Sequence, residues 1–125
     1  MAKILIVDDD IHSTTLFETV LTMKGHEATS VNDSSLAVQV ANSTIPDLII
    51  LDLMMPEPNG FEVCEMLRAD SKFANTPIVI FTAMGDSTSK EAAYGAGADD
   101  YLTKPFRVKD LLNRIQALLD KSSQN

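Results

Sequence analysis

Four apolar runs in this chain stop abruptly on polar side chains. Ile4-Leu5-Ile6-Val7 ends at Asp8-Asp9-Asp10, Leu48-Ile49-Ile50-Leu51 at Asp52, and Ile78-Val79-Ile80-Phe81 at Thr82, while the more mixed Asp100-Tyr101-Leu102-Thr103 runs into Lys104. The first three lack polar alternation, which is the pattern of strands covered on both faces in a parallel sheet. Residues 27–31 form a weaker and more polar strand candidate.

Helical spacing fills the gaps. Phe17, Val20, Leu21 and Lys24 share one face of a first helix that Gly25 stops. Asp33 or Ser34 is placed to cap a second helix carrying Leu36, Ala37, Val40 and Ala41 inward. After the loop Pro56-Glu57-Pro58-Asn59-Gly60, a third helix turns Phe61, Cys64 and Leu67 to the core. Residues 87–96 are small and polar, with Ala92, Ala93 and Ala96 as the inward candidates, so the fourth helix should be held least firmly. Val108, Leu111, Leu112, Ile115, Leu118 and Leu119 give the cleanest amphipathic helix, the fifth. The strong runs belong at the centre of the sheet and the mixed ones at its edges. Right-handed crossovers then favour the parallel order 2-1-3-4-5. Such a sheet binds its ligands outside the carboxyl ends of the strands, at the switch point between strands one and three, which Asp8 to Asp10 and Asp52 flank.

Composition narrows the class without changing this picture. A chain of 125 residues suits one domain with a real core, expected over residues 1–121, with 122–125 a polar tail or the start of a linker. No stretch approaches the ~18–20 apolar residues of a membrane span, and the N-terminus lacks the pattern of a signal peptide, so the expected location is cytoplasmic. A net charge of -8 argues against direct nucleic-acid or membrane binding by this domain and suits cations or basic partner surfaces. The lone Cys64 is most simply a small core residue.

Ile6-Val7-Asp8-Asp9-Asp10, Leu51-Asp52-Leu53-Met54-Met55-Pro56 with Asn59-Gly60, Phe81-Thr82-Ala83 and Thr103-Lys104-Pro105-Phe106 together resemble the receiver domain of two-component response regulators. The resemblance runs from Lys3 to about Leu119. It implies a doubly wound (βα)5, flavodoxin-like three-layer fold and a Mg²⁺-dependent phosphoryl switch, with Mn²⁺ as a substitute ion. A sensor histidine kinase or histidine phosphotransfer protein would load it.

By that resemblance Asp52 is the phosphoacceptor, a carboxylate that attacks phosphorus in line. Repulsion between the two anions makes positioning and charge neutralisation the main catalytic needs. Asp9 and Asp52 would bind the metal directly, Asp8 through water, and the main-chain carbonyl of Met54 would complete a set suited to Mg²⁺. Asp10 is better read as the cap of the first helix. Lys104 would pair first with the acceptor carboxylate and then with phosphate, its bond to Pro105 being cis. Thr82 would donate its hydroxyl to the phosphoryl oxygen, and Tyr101 would change rotamer with it, altering the surface of helix 4, strand 5 and helix 5. Met54 and Met84 stand where polar residues often orient hydrolytic water, which points to a long-lived phospho-state. The domain would be a signalling phosphoacceptor rather than an enzyme, assisting only its own phosphorylation and slow autodephosphorylation.

The output is open at this point: an effector protein or a tethered output domain. Thr103 to Leu119 resembles the receivers of winged-helix transcription factors, which implies a homodimer through helices 4 and 5. Asp99, Asp100 and Arg114 fit that pattern, although Gln116 stands where a lysine is usual and the basic end of helix 5 is missing. Two other readings remain. A pseudo-receiver would bind partners without phosphate, but Asp9, Asp52, Thr82 and Lys104 are all present. An Asp-nucleophile phosphohydrolase of the dehalogenase type would need a threonine after Asp8-Asp9-Asp10-Ile11-His12 and room for a cap domain. His12 and His26 are expected on the first helix surface and at a strand entry, outside any relay.

Overall fold

A computed structural model describes residues 1–123, without the side chain of Ser123. The elements in chain order are β1 (Lys3–Val7), α1 (Ile11–Met23), β2 (Glu27–Val31), α2 (Ala37–Thr44), β3 (Leu48–Leu51), α3 (Gly60–Ala69), β4 (Ile78–Thr82), α4 (Ser87–Ala96), β5 (Asp100–Thr103) and α5 (Val108–Ser123). Short 3-10 turns at Ser34–Leu36 and Ser71–Phe73 precede α2 and β4. All strand pairs are parallel and the sheet order is β2-β1-β3-β4-β5, as the strand strengths and crossover rule imply.

The sheet is covered on both faces. Ile4, Ile6, Ile50, Val79 and Phe81 pack with Phe17 and Leu21 of α1 and Leu111 and Ile115 of α5. Leu5, Val7, Ile49, Leu51 and Ile80 turn to the other layer, against Ala37, Ala41, Val63, Cys64, Leu67 and Ala93 of α2, α3 and α4. This double burial is why β1, β3 and β4 needed unbroken apolar sequence. Register aligns the strand ends: Val7 lies beside Leu51, and Thr82 beside Thr103, so the residues just beyond them emerge on one rim.

Local chemistry sets the helix ends. Asp10 caps α1 by accepting from the His12 amide at 2.9 Å, as expected, and Asp33 caps the 3-10 turn before α2. Asn59 and Glu62 form a reciprocal capping box at α3. Gly97 ends α4 at φ 115°, a left-handed geometry that suits glycine.

Several inward assignments shift. Leu36 is 44% exposed, because it sits in a 3-10 turn whose three-residue period puts it out of phase with α2. In α4 the buried stripe is Ser89 and Ala93, with Ala92 exposed. Ser89 is buried because the Asp86 cap satisfies its hydroxyl. Val108 and Lys24 are exposed at helix ends. Helix α5 continues through Ser123, into the segment expected to be tail, and Gln124 and Asn125 lie outside the described residues. No helix among the described residues is long and apolar enough to cross a membrane.

Candidate functional site

The rim at the carboxyl ends of β1, β3, β4 and β5 gathers residues that are far apart in sequence. Oxygen atoms of Asp8, Asp9 and Asp52 lie within 4.8 Å of one another. Asp8 and Asp52 are buried and Asp9 is exposed, so the cluster opens to solvent on the Asp9 side. Lys104 reaches in from the end of β5, with Nζ 3.2 Å from Asp8 Oδ2 and 3.5 Å from Asp52 Oδ2. The Lys104-Pro105 bond is cis, as is Glu57-Pro58 in the β3–α3 loop, which the sequence did not announce.

Each acid has its own support. Asp8 Oδ1 accepts from the Asp10 amide at 3.0 Å and Asp52 Oδ1 from the Met54 amide at 3.2 Å. Burial is the main influence on Asp8 and raises its carboxyl above the usual range, with Asp52 adding to the rise while the Asp10 amide and Lys104 oppose it. For Lys104, burial pulls the ammonium down, but Asp52 and Asp8 together hold it above its ordinary value. The rim therefore keeps one cation against a group of acids that carries more negative charge than it can neutralise. That imbalance, with an all-oxygen donor set, fits a hard divalent cation such as Mg²⁺ or Mn²⁺.

Thr82 is fully buried at the end of β4, and its Oγ1 accepts from the Met84 amide at 3.4 Å. Tyr101 on β5 is buried in register with Ile80 of β4, with its hydroxyl donating to the Met84 carbonyl and the Lys90 ammonium 5.8 Å from the ring centroid. Burial, then the charges of Asp86 and Asp52, hold its phenol above the usual range. The side chain of Met54 projects outward at 55% exposure, leaving its main chain next to the acids.

A sequence model of the response regulator receiver domain matches residues 4–116. The chain belongs to this family. Its relatives include the DNA-binding dual master transcriptional regulator RpaA of Synechocystis, 41% identical over 124 residues, which are 99% of this chain and 52% of that protein. The DNA-binding response regulator MtrA of Mycobacterium tuberculosis is 39% identical over 120 residues, 96% of this chain and 51% of its own. Among solved structures, the chemotaxis protein CheY4 of Vibrio cholerae superposes with a TM-score of 0.90 at 33% identity, covering 94% of this chain and 98% of that one. The chain thus spans about half the length of the curated relatives it matches and nearly the whole of a receiver structure. It is a signalling domain of two-component systems, in which receivers work with histidine kinases.

Further residues brace the strand ends; Gly60 belongs to the Asn59-Gly60 motif, whereas Asn32 at the rim and Arg68 at the opposite, amino ends of β4 and β5 carried no sequence signal. Asn32, just past β2, donates to the Asp8 carbonyl and to Thr14 Oγ1. Gly60 lies so close to the β3–α3 loop that a Cβ there would sit 2.2 Å from the Asp52 carbonyl oxygen. Arg68 donates to the carbonyls of Phe73, Thr76 and Gly97 and pairs with Asp99 at 2.8 Å. Both acids considered for a dimer are paired within the chain, Asp99 with Arg68 and Asp100 with Arg114 at 2.6 Å. Gln116 donates to Asp120.

Proposed function

We propose that this receiver takes a phosphoryl group onto the carboxylate of Asp52 from the phosphohistidine of a sensor kinase or histidine phosphotransfer protein. The observation that carries the reading is the seat of Asp52 itself: a buried carboxylate at a strand end, flanked by Asp8 and Asp9 and faced by Lys104. A carboxylate oxygen of Asp52 attacks phosphorus as the donor's N–P bond breaks, and the imidazole leaves with the bonding pair. The Met54 amide, already on Oδ1, holds the carboxylate in one orientation during attack.

Asp9 and Asp52 would hold Mg²⁺ directly, Asp8 through water, with the Met54 carbonyl as the further ligand. When bound, the ion would supply positive charge that offsets the repulsion between the attacking carboxylate and the phosphoryl group. Lys104 compensates Asp52 before transfer and pairs with a phosphoryl oxygen afterwards, moving its charge with the product. Catalysis here is positioning and charge neutralisation rather than proton abstraction.

The product is read through Met84. Turning the Thr82 hydroxyl towards a phosphoryl oxygen takes the acceptor away from the Met84 amide, and the Met84 carbonyl is the partner of Tyr101. A change at position 82 therefore reaches the Tyr101 ring and the start of α4, which only Ser89 and Ala93 bury. The altered α4–β5–α5 surface then acts on an effector protein or a tethered output domain in the cytoplasm. The DNA-binding names of the relatives favour a tethered domain.

Incubation with acetyl phosphate and Mg²⁺ tests the assignment. A mass gain of one phosphoryl group that requires Mg²⁺ and disappears in Asp52→Asn supports it. Multiple turnover of a phosphate ester would indicate a hydrolase, and absence of reaction a pseudo-receiver.

A further inference from the structure

The β1–β2 ladder is prolonged past its end by one side chain. β1 ends at Val7 and β2 at Val31, and the Asp8 amide still donates to the Val31 carbonyl at 3.1 Å. The Asp8 carbonyl is the next group along and β2 has no further strand residue to offer it. Asn32 supplies the partner instead: its Nδ2 donates to the Asp8 carbonyl at 2.9 Å and to Thr14 Oγ1 at 3.0 Å. Both amide hydrogens are thereby used, which leaves the group a single orientation. The second anchor is firm, because Thr14 is buried within α1 and its own hydroxyl donates to the Ile11 carbonyl.

The Asn32 bond reaches Asp9 through the covalent chain. The Asp8 carbonyl and the Asp9 nitrogen and Cα share one peptide plane. Fixing that oxygen fixes the direction in which Asp9 leaves the loop. Asp8 has other restraints on its carboxylate, the Asp10 amide and Lys104, and Asp52 has Met54 and Lys104. Asp9 is exposed and depends on its main chain for its place among the three acids.

We infer that Asn32 is a positioning residue for the divalent-cation site, acting through the Asp8-Asp9 peptide to hold the Asp9 carboxylate in range of Asp8 and Asp52. The inference rests on the metal-dependent function proposed for the rim. Asn32 touches neither the acids' carboxylates nor the acceptor oxygen, so its effect should fall on affinity for the ion rather than on transfer once the ion is bound. Partners that orient metal ligands in this way commonly carry ~10–100-fold in affinity. A turn-forming role for Asn32 would instead lower stability equally with and without metal.

The test is a calorimetric titration of the full chain with Mg²⁺ alone, for the native protein, Asn32→Ala and Asn32→Leu, together with acetyl phosphate labelling across Mg²⁺ concentrations. Asn32 is on the surface, and the leucine variant keeps its volume while removing the donor, so one of the two serves if the other folds poorly. The dissociation constant should rise about tenfold in both variants, with labelling at saturating Mg²⁺ within about twofold of native. Equal Mg²⁺ affinity in native and variant proteins overturns the role of Asn32 and leaves the phosphoacceptor reading intact. A native protein that binds no Mg²⁺ overturns both.

Discussion

The hydroxyl of Tyr101 donates to the main-chain carbonyl of Met84, tying β5 to the loop just after Thr82. This bond makes the aromatic ring a sensor of the β4–α4 loop. Tyr101→Phe should cost about 1 kcal/mol of stability through loss of one hydrogen bond. Tyr101→Ala should leave labelling by acetyl phosphate intact but shrink the amide shift changes along α4 on phosphorylation, as read by nitrogen–proton correlation spectra. Undiminished α4 shifts in Tyr101→Ala would remove Tyr101 from the pathway.

Gly60 begins α3 against the loop that carries Asp52. A Cβ at this position would meet the Asp52 carbonyl oxygen at 2.2 Å and Leu53 Cα at 2.5 Å, both main-chain atoms that cannot swing away. Gly60→Ala should therefore destabilise the fold by about 2–3 kcal/mol. Displacing Asp52 should also slow phosphoryl transfer about tenfold or more. Urea unfolding and labelling rates check the two parts separately.

Arg68 joins the end of α3 to three neighbouring segments through the Phe73, Thr76 and Gly97 carbonyls and the Asp99 carboxylate. Its side chain is only 17% exposed, so truncation leaves the three carbonyls without their charged donor, while the Asp99 carboxylate stays open to solvent at 43% exposure. Arg68→Ala should cost about 3 kcal/mol in urea unfolding. Arg68→Lys should recover little, because an ammonium cannot reproduce the guanidinium fork.

Burial pushes the Cys64 thiol from 9.0 up to about 11. The native state then keeps this proton over a range in which the unfolded chain has released it, so ionisation favours unfolding as pH rises from about 9 towards 11. The stability advantage of native protein over Cys64→Ala should shrink by about 2 kcal/mol between pH 8 and pH 10.5. Urea midpoints of the two proteins at both pH values give the difference, in which the titration of other groups largely cancels.

Much of this architecture is legible in the chain because it depends on short-range signals. Unbroken Ile and Val runs mark β1, β3 and β4, and the polar residue after each run marks the rim where Asp8, Asp52 and Thr82 come together. What escapes is set by phase or by distance. Leu36 and Ala92 look inward until the 3-10 turn and the Ser89–Ala93 stripe fix the helix rotation. Asn32 lies 24 residues from Asp8, and an asparagine after a strand looks like any turn former. Arg68 lies 31 residues from Asp99, so its pairing within the chain, like that of Arg114 with Asp100, is likewise set by distance.

Every role proposed for the rim depends on Asp52 being the residue that carries the phosphoryl group. Borohydride reduction after acetyl phosphate and Mg²⁺ treatment converts an aspartyl phosphate to homoserine, which peptide mass mapping then locates. Homoserine is expected at position 52 and at no other acid. Homoserine at Asp8 or Asp9, or phosphate retained on His12 or His26, would contradict the assignment.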